Sequence, residues 1–268
     1  MAEFMEGVRD CLTEYGSSYI DGAGRTLLIS LVGTFFGCVI GFAVGIIQTI
    51  PAESRDPLWK RAGVKFLKAI MLIYVQVFRG TPMMVQAMFI YYGVRMVYGV
   101  QMSMWFAAFF IVSINTGAYM AETVRGGILS VDPGQTEGAQ AIGMTHVQTM
   151  LSVILPQAFR NIIPQIGNNF IINIKDTSVL SVISVSELFF VHKSVSGALY
   201  TFFESASITM VIYLTMTLAA SGLLHLLEEK LDGNGNYDIA TTDTHAYTSG
   251  LLRYRPKKKD EEAVGEGA

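Results

Sequence analysis

The chain has 268 residues, 51% of them hydrophobic and 15% charged, with a formal net charge of −3. That balance argues for a polytopic membrane protein and against a soluble globular core, and it gives no reason to expect a nucleic-acid partner. The two cysteines, Cys11 and Cys38, have no metal-ligand spacing, and Cys38 falls inside an apolar run, which speaks against a disulfide framework.

Residues 1–22 are acidic and lack a basic n-region, and the apolar run that follows is too long for a signal h-region. They are expected to form an extracytoplasmic N-terminal segment before a retained span. Thr26 to Ala52 is free of charged residues. At about 1.5 Å per residue it can cross a hydrocarbon core of ~30 Å with some tilt. Gly33, Gly37, Gly41 and Gly45 recur every fourth residue and form a small-residue strip on one helix face. Such strips allow close helix packing, either within a bundle or between two copies.

The second segment, near 66–98, is interrupted by Arg79-Gly80-Thr81-Pro82. Pro82 removes a backbone donor and Gly80 adds freedom, so a kink or break is expected there. An arginine in lipid costs about 2.5–3.5 kcal/mol on insertion scales, so Arg79 must face protein, water or an interface. Gln86, Tyr91 and Tyr92 follow.

The third span is expected over about 104–124, within the charge-free run Met96–Ala121 and its polar end. Asn115, Tyr119 and Glu122 share one helical face at i, i+4, i+7 spacing. A polar stripe on an otherwise lipid-suited helix points into the bundle. It either lines a path or bonds neighbouring helices, and the sequence leaves both open.

Residues 125–146 are polar and Gly-rich. Asp132-Pro133-Gly134-Gln135 carries a helix-start signature: Asp132 as cap, Pro133 at the first helical position, Gln135 to close a capping box. Gly143 suits the helix end. The expected helix, about 133–142, is short and buries little apolar surface, so it needs a partner.

A fourth span is expected near 147–172, broken by Pro156 and Pro164. The stretch after it is unusually polar and holds Asn173, Lys175, Asp176 and Glu187. Lys175 and Asp176 do not share a helix face, so each needs another partner. Ser205–Leu227 makes a fifth span, and 232–268 reads as a disordered tail, with Lys257–Lys259 offset by Asp260, Glu261 and Glu262.

Lys and Arg set the orientation. Arg55, Lys60, Arg61, Lys65 and Lys68 crowd the segment after the first span, and 97–104 has none. The tail adds Lys230, Arg253 and Arg255. Five spans then put the N-terminus outside and both the 125–146 loop and the C-terminus in the cytoplasm.

With these motifs in hand, the chain resembles the membrane permease subunit of bacterial ATP-binding-cassette (ABC) importers, in the polar amino acid branch. The likeness covers about residues 19–230. It rests on Thr26-Leu27 with Ser30, Arg79-Gly80-Thr81-Pro82 with Gln86 and Tyr91-Tyr92, Ala118-Tyr119 with Glu122 and Arg125-Gly126-Gly127, Leu155-Pro156-Gln157-Ala158, and Lys175-Asp176-Thr177-Ser178. The loop is similar to the family's cytoplasmic signature: Glu-Ala-Ala, three residues, Gly, nine residues, Ile-x-Leu-Pro. Here it reads Glu137-Gly138-Ala139, Gly143, then Val153-Ile154-Leu155-Pro156. Gly138 stands for Ala, at a cost of about 0.8–1 kcal/mol in helix propensity, and Val153 stands for Ile.

The resemblance implies an all-α type I ABC importer permease fold with five transmembrane helices over 23–231, in the bacterial inner membrane. It implies a coupling loop, 125–156, that meets the ATPase through Glu137, Gly138, Ala139, Gly143, Leu155 and Pro156. Gly126, Gly127 and Gly143 are candidate flex points. Asn115, Tyr119, Asp176 and Glu187 are candidates for the substrate path. The implied partners are a cytoplasmic ATPase dimer that carries ATP-Mg, a second permease, an extracytoplasmic amino acid binding protein and membrane lipid. The chain has no Gly-x-x-x-x-Gly-Lys-Ser/Thr phosphate loop, so no cofactor and no metal is expected on it, and ATP hydrolysis is expected elsewhere. Two readings stay beside this one: a secondary transporter or channel working without an ATPase, and a non-transporting scaffold or sensor. The polar stretch at 168–187 argues against the latter.

Overall fold

The computed structural model describes residues 2–50 and 57–232, and every regular element among them is a helix. In chain order they are α1 (Ala2–Thr49), α2 (Leu58–Gly80), α3 (Met83–Tyr98), α4 (Met104–Leu129), α5 (Pro133–Ala141) and α6 (His146–Thr149). A π turn (Met150–Ile154) leads into α7 (Leu155–Asp176), a 3₁₀ segment (Thr177–Ile183), α8 (Leu188–Leu199) and α9 (Phe202–Asp232). The chain divides into two units, Met1–Glu228 and Glu229–Ala268, and the helices around the site belong to the first. Of the expected tail 232–268 only Asp232 is described, as the end of α9; Arg55 and Lys257–Lys259 also lie outside the described residues.

Three described helices are long and apolar enough to cross a membrane: α1, α4 and α9, the last over Phe202–Leu227. The other two expected spans, α2–α3 and α7, are not among them. Lys60, Arg61, Lys65, Lys68 and Arg79 lie in α2, and Pro164, Asn168, Asn169, Asn173 and Lys175 in α7. The helical membrane fold holds, while the count of five is not established by length and apolarity.

The expected N-terminal segment and the first span are helically continuous: α1 is one helix of 48 residues, roughly 72 Å at 1.5 Å per residue. No proline interrupts the chain before Pro51, and an apolar face continues through the acidic stretch. Cys11 and Tyr19 are fully buried there with Leu188 and Val195 of α8 and Ile208 of α9. Tertiary packing of that face extends the helix where local charge alone argued for a boundary.

The glycine strip of α1 packs within the chain, against α4. A Cβ on Gly33 would lie 2.3 Å from Val112, on Gly37 2.6 Å from Thr116, on Gly41 2.3 Å from Met120 and on Gly45 2.8 Å from Val124. Both partners ascend by four residues per step, so α1 and α4 run parallel. Their backbones approach as closely as Gly permits. Asn173 of α7 pins this pair: its amide donates to Thr34 Oγ1 (2.8 Å) and Thr116 Oγ1 (3.0 Å), all three side chains being buried. A buried amide with its bonds made fixes one arrangement of three helices.

The 147–172 stretch is less broken than its prolines suggest. Pro156 follows the π turn at the start of α7, and the helical backbone runs on through it. Pro164 lies inside α7 without ending it, because the carbonyl it leaves free, four residues back at the exposed Arg160, can face water.

Candidate functional site

The expected break between the second segment's halves is present, and local chemistry repairs it. A proline cannot bond the carbonyl four residues earlier, which for Pro82 is that of Phe78. The Gln86 amide fills the gap, donating to Phe78 O (2.9 Å), Thr81 O (2.9 Å) and Thr81 Oγ1 (2.8 Å). Asn115 of α4 then donates to Gln86 Oε1 (2.9 Å) and to Phe78 O (3.2 Å). Asn115 is thus buried as the link between the break and α4.

Beside this link is a cavity of about 400 Å³, bordered by Arg79 and Thr81 at the break, Asn115 and Tyr119 of α4, and Asp176 and Val179 where α7 passes into the 3₁₀ segment. Arg79 is the last charged group of α2. It pairs with Glu122 and lies over the Tyr119 ring, its Cζ 5.4 Å from the centroid. The arginine that sequence reasoning barred from lipid therefore has a carboxylate, an aromatic face and the cavity. Each member of the ion pair is about a third exposed, which leaves guanidinium donors free to meet a solute. Asp176 borders the same space and makes no hydrogen bond to another described residue. The cavity lining thus includes a cation, a carboxylate, an amide and a phenol. Its size falls in the range of small-molecule sites, ~300–1,000 Å³.

Three of the four expected path residues, Asn115, Tyr119 and Asp176, meet at this cavity, and Glu187 does not. Glu187 is fully buried and caps α8, accepting from Phe189 N (2.9 Å) and Phe190 N (2.8 Å), while Tyr213 of α9 donates to it (3.0 Å). A carboxylate ahead of an apolar helix start is a capping signature that the sequence displays, though a sequence cannot say whether the cap is also solvent-facing. Gln86 is the residue whose role went unread: it belonged to the motif, but its bond to Phe78 follows only from the path of the chain around Pro82.

The loop helix is α5. Asp132 caps it, accepting from Gly134 N (2.7 Å), with Pro133 at its first position. Its end is a Schellman motif: Met144 N donates to Ala139 O (3.1 Å), Gly143 N to Gln140 O (3.0 Å), and Gly143 has φ +85°. Gln135 does not close a capping box with Asp132; it accepts from Gln157 of α7 instead (3.3 Å). The reciprocal box lies one helix later, between Thr145 and Gln148 at the start of α6.

Of the residues expected to meet the ATPase, Ala139 is buried under α5, Glu137 and Gly138 are exposed, Leu155 is half-buried and Pro156 exposed. Ile142 is 79% exposed and Val147 62% exposed on the same loop, apolar side chains left open by the described residues. A second cavity of about 320 Å³ lies between α5 and the helices behind it, reached by Glu137, His146 and the buried Thr149. Gly127 is a close-packing site, since a Cβ there would meet Ile162 at 2.6 Å; Gly126 and Gly127 both lie within α4. Among the described residues no cluster of His, Cys, Asp or Glu could hold a metal ion.

A family model described as the binding-protein-dependent transport system inner membrane component matches residues 59–233, which include the cavity beside the break. The chain belongs to this family. It is 37% identical over 213 residues to the glutamine transport system permease protein GlnP of Escherichia coli (strain K12), covering 79% of this chain and 92% of that one. It is 31% identical over 215 residues to the arginine transport system permease protein ArtQ of Bacillus subtilis (strain 168), covering 80% and 93%. Among solved structures, a crystal structure of an amino acid ABC transporter with histidines matches with a TM-score of 0.71 and 35% identity, covering 81% of this chain and 95% of that one. The expected resemblance is met: the chain is a multi-pass membrane permease subunit of the ABC importer class, and the stand-alone transporter is not favoured.

Proposed function

We propose that this permease moves a polar amino acid into the cytoplasm by ATP-driven alternating access. The observation that carries the reading is that Arg79 and Asp176 both line one cavity. An amino acid zwitterion presents a carboxylate and an ammonium a short distance apart. Arg79, held by Glu122, suits the carboxylate, and Asp176 suits the ammonium. Asn115 and Tyr119 supply further polar contact. Glu187 enters as a positioning group that fixes α8 and α9 rather than as a contact. The named substrates of the relatives, glutamine and arginine, support a substrate of this class.

Five spans, with the N-terminus outside and the C-terminus in the cytoplasm, complete the arrangement. The basic residues after α1 support it, and so does the parallel course of α1 and α4, which brings the ends of both helices to one side. In this reading α5, with Glu137, Gly138, Ala139, Gly143, Leu155 and Pro156, docks on a separate ATPase dimer that binds ATP-Mg. A second permease, identical or a sister chain, closes the path, and an extracytoplasmic binding protein delivers the amino acid. The exposed Ile142 and Val147 support a protein partner at this loop. Differential binding of the two conformations by the ATPase drives the switch.

The test is uptake of a labelled amino acid panel by cells carrying the intact system, with Asp176→Asn and Arg79→Gln variants. The reading expects a changed apparent affinity or substrate order at normal membrane levels. Loss of protein from the membrane with unchanged affinity per molecule would assign these groups to structure alone.

A further inference from the structure

The start of α2 carries a charged face that the transport reading uses only to set orientation. Arg61, Lys65 and Lys68 follow one another at helical spacing on one side of the helix. None of the three side chains forms a hydrogen bond or ion pair with a described residue, and the first turn of α2 holds no acidic side chain. Three cations on one helix face repel one another and attract an anion.

The same turns carry a second, apolar feature. Trp59 is 78% exposed and Phe66 70% exposed, and Ile70, Ile73 and Val77 continue the stripe along α2. At about 100° per residue, Trp59 and Lys65 flank a strip that runs over Ala62, Phe66, Ala69 and Ile73, all of them exposed. The cations lie at the end of α2 that begins next to the polar 51–56 segment, and the apolar stripe runs away from them. A helix with this pattern sits across the boundary between headgroups and acyl chains, with an amphipathic aromatic at the boundary itself.

We propose that this face of α2 binds an anionic membrane lipid. Its phosphate is held by Arg61 and Lys65, and Lys68, one turn deeper, snorkels to the same headgroup. The acyl chains lie along Phe66, Ala69 and Ile73. Charge complementarity selects the occupant: a zwitterionic headgroup brings its own cation and leaves the three side chains uncompensated, whereas phosphatidylglycerol supplies a net negative charge. The bound lipid would also be mechanically relevant, because the far end of the same helix is Arg79, at the substrate cavity.

Trp59 is a built-in reporter, one of two tryptophans in the chain. The transporter complex, purified intact, is placed in nanodiscs of phosphatidylcholine containing a minor fraction of brominated phosphatidylglycerol or, in the other arm, the same fraction of brominated phosphatidylcholine. The Trp59 signal is taken as the difference from a Trp59→Phe complex. The proposal expects quenching at least about twofold stronger with the anionic lipid, falling to a ratio of about one when salt shortens the Debye length from ~10 Å towards ~3 Å. It expects the same loss in an Arg61→Gln, Lys65→Gln, Lys68→Gln variant; if that variant fails to assemble, the salt series on the unaltered complex decides. Equal quenching by both lipids overturns the proposal. So does quenching by neither, which would mean that protein covers the strip, and so does a ratio that survives neutralisation of the three cations. None of these outcomes depends on transport activity.

Discussion

Arg79, in the last turn of α2, is paired with Glu122 of α4, and Tyr119, one turn before Glu122, lies under the guanidinium. The pair joins the two helices at the edge of the cavity and holds Arg79 there in a fixed direction. Removing the carboxylate releases the arginine without deleting it. Glu122→Gln is therefore expected to weaken apparent substrate affinity by about tenfold, equivalent to ~1.4 kcal/mol, with a smaller effect on the amount of protein in the membrane. Arg79→Lys should lose as much, because a point charge cannot serve carboxylate and solute together. Concentration-dependent uptake, normalised to membrane protein, checks both.

Gln86 repairs the backbone that Pro82 interrupts. Gln86→Leu removes this donor and leaves the Phe78 carbonyl and the Asn115 amide only their mutual 3.2 Å bond. Lost hydrogen bonds cost about 0.5–1.5 kcal/mol each, so the purified complex should melt several degrees lower. Gln86→Glu accepts from Asn115 but cannot donate to Phe78, and should fall between the two. Thermal denaturation in one detergent orders the three proteins.

The contact of α1 with α4 leaves no room for a methyl group at Gly41, where a Cβ would lie 2.3 Å from Met120 Cβ and 2.9 Å from its backbone. Gly41→Ala is expected to destabilise by about 1–3 kcal/mol through overpacking. Gly24→Ala, on the same helix with nothing within 4 Å, should be neutral or stabilising by up to ~1 kcal/mol. Opposite signs from one chemical change, read as melting temperature or membrane yield, check the register of the two helices.

At the loop, Gly143 has φ +85° and ends α5. Gly143→Asp is expected to strain the turn by about 1–2 kcal/mol and to uncouple transport while the protein stays in the membrane. Gly138 is the converse: open space surrounds it, so Gly138→Ala should firm α5 by about 0.8–1 kcal/mol. ATPase activity and uptake, measured side by side, should separate for the first variant and remain coupled for the second.

What the sequence revealed was local. The break at Thr81–Pro82, the cap at Asp132, the helix end at Gly143 and the glycine strip each follow from residue chemistry within a turn or two. The shared face of Asn115, Tyr119 and Glu122 followed from helical period, and its Asn115 and Tyr119 line the cavity. What stayed hidden depended on distant partners. The partner of the glycine strip lies some eighty residues away on α4. The continuity of α1 into its acidic start depends on Leu188, Val195 and Ile208. Glu187 reads as a free carboxylate until α8 is seen to begin on it and Tyr213 to reach it.

The measurement closest to the central claim is uptake into proteoliposomes that contain this permease with the subunits that co-purify with it. The lumen is loaded with ATP-Mg or with a non-hydrolysable analogue, and the extracytoplasmic binding protein and labelled amino acid are added outside. The account predicts accumulation that requires hydrolysable ATP and the binding protein and that falls in Glu122→Gln. Accumulation by the chain alone, driven by an ion gradient and indifferent to ATP, would contradict it.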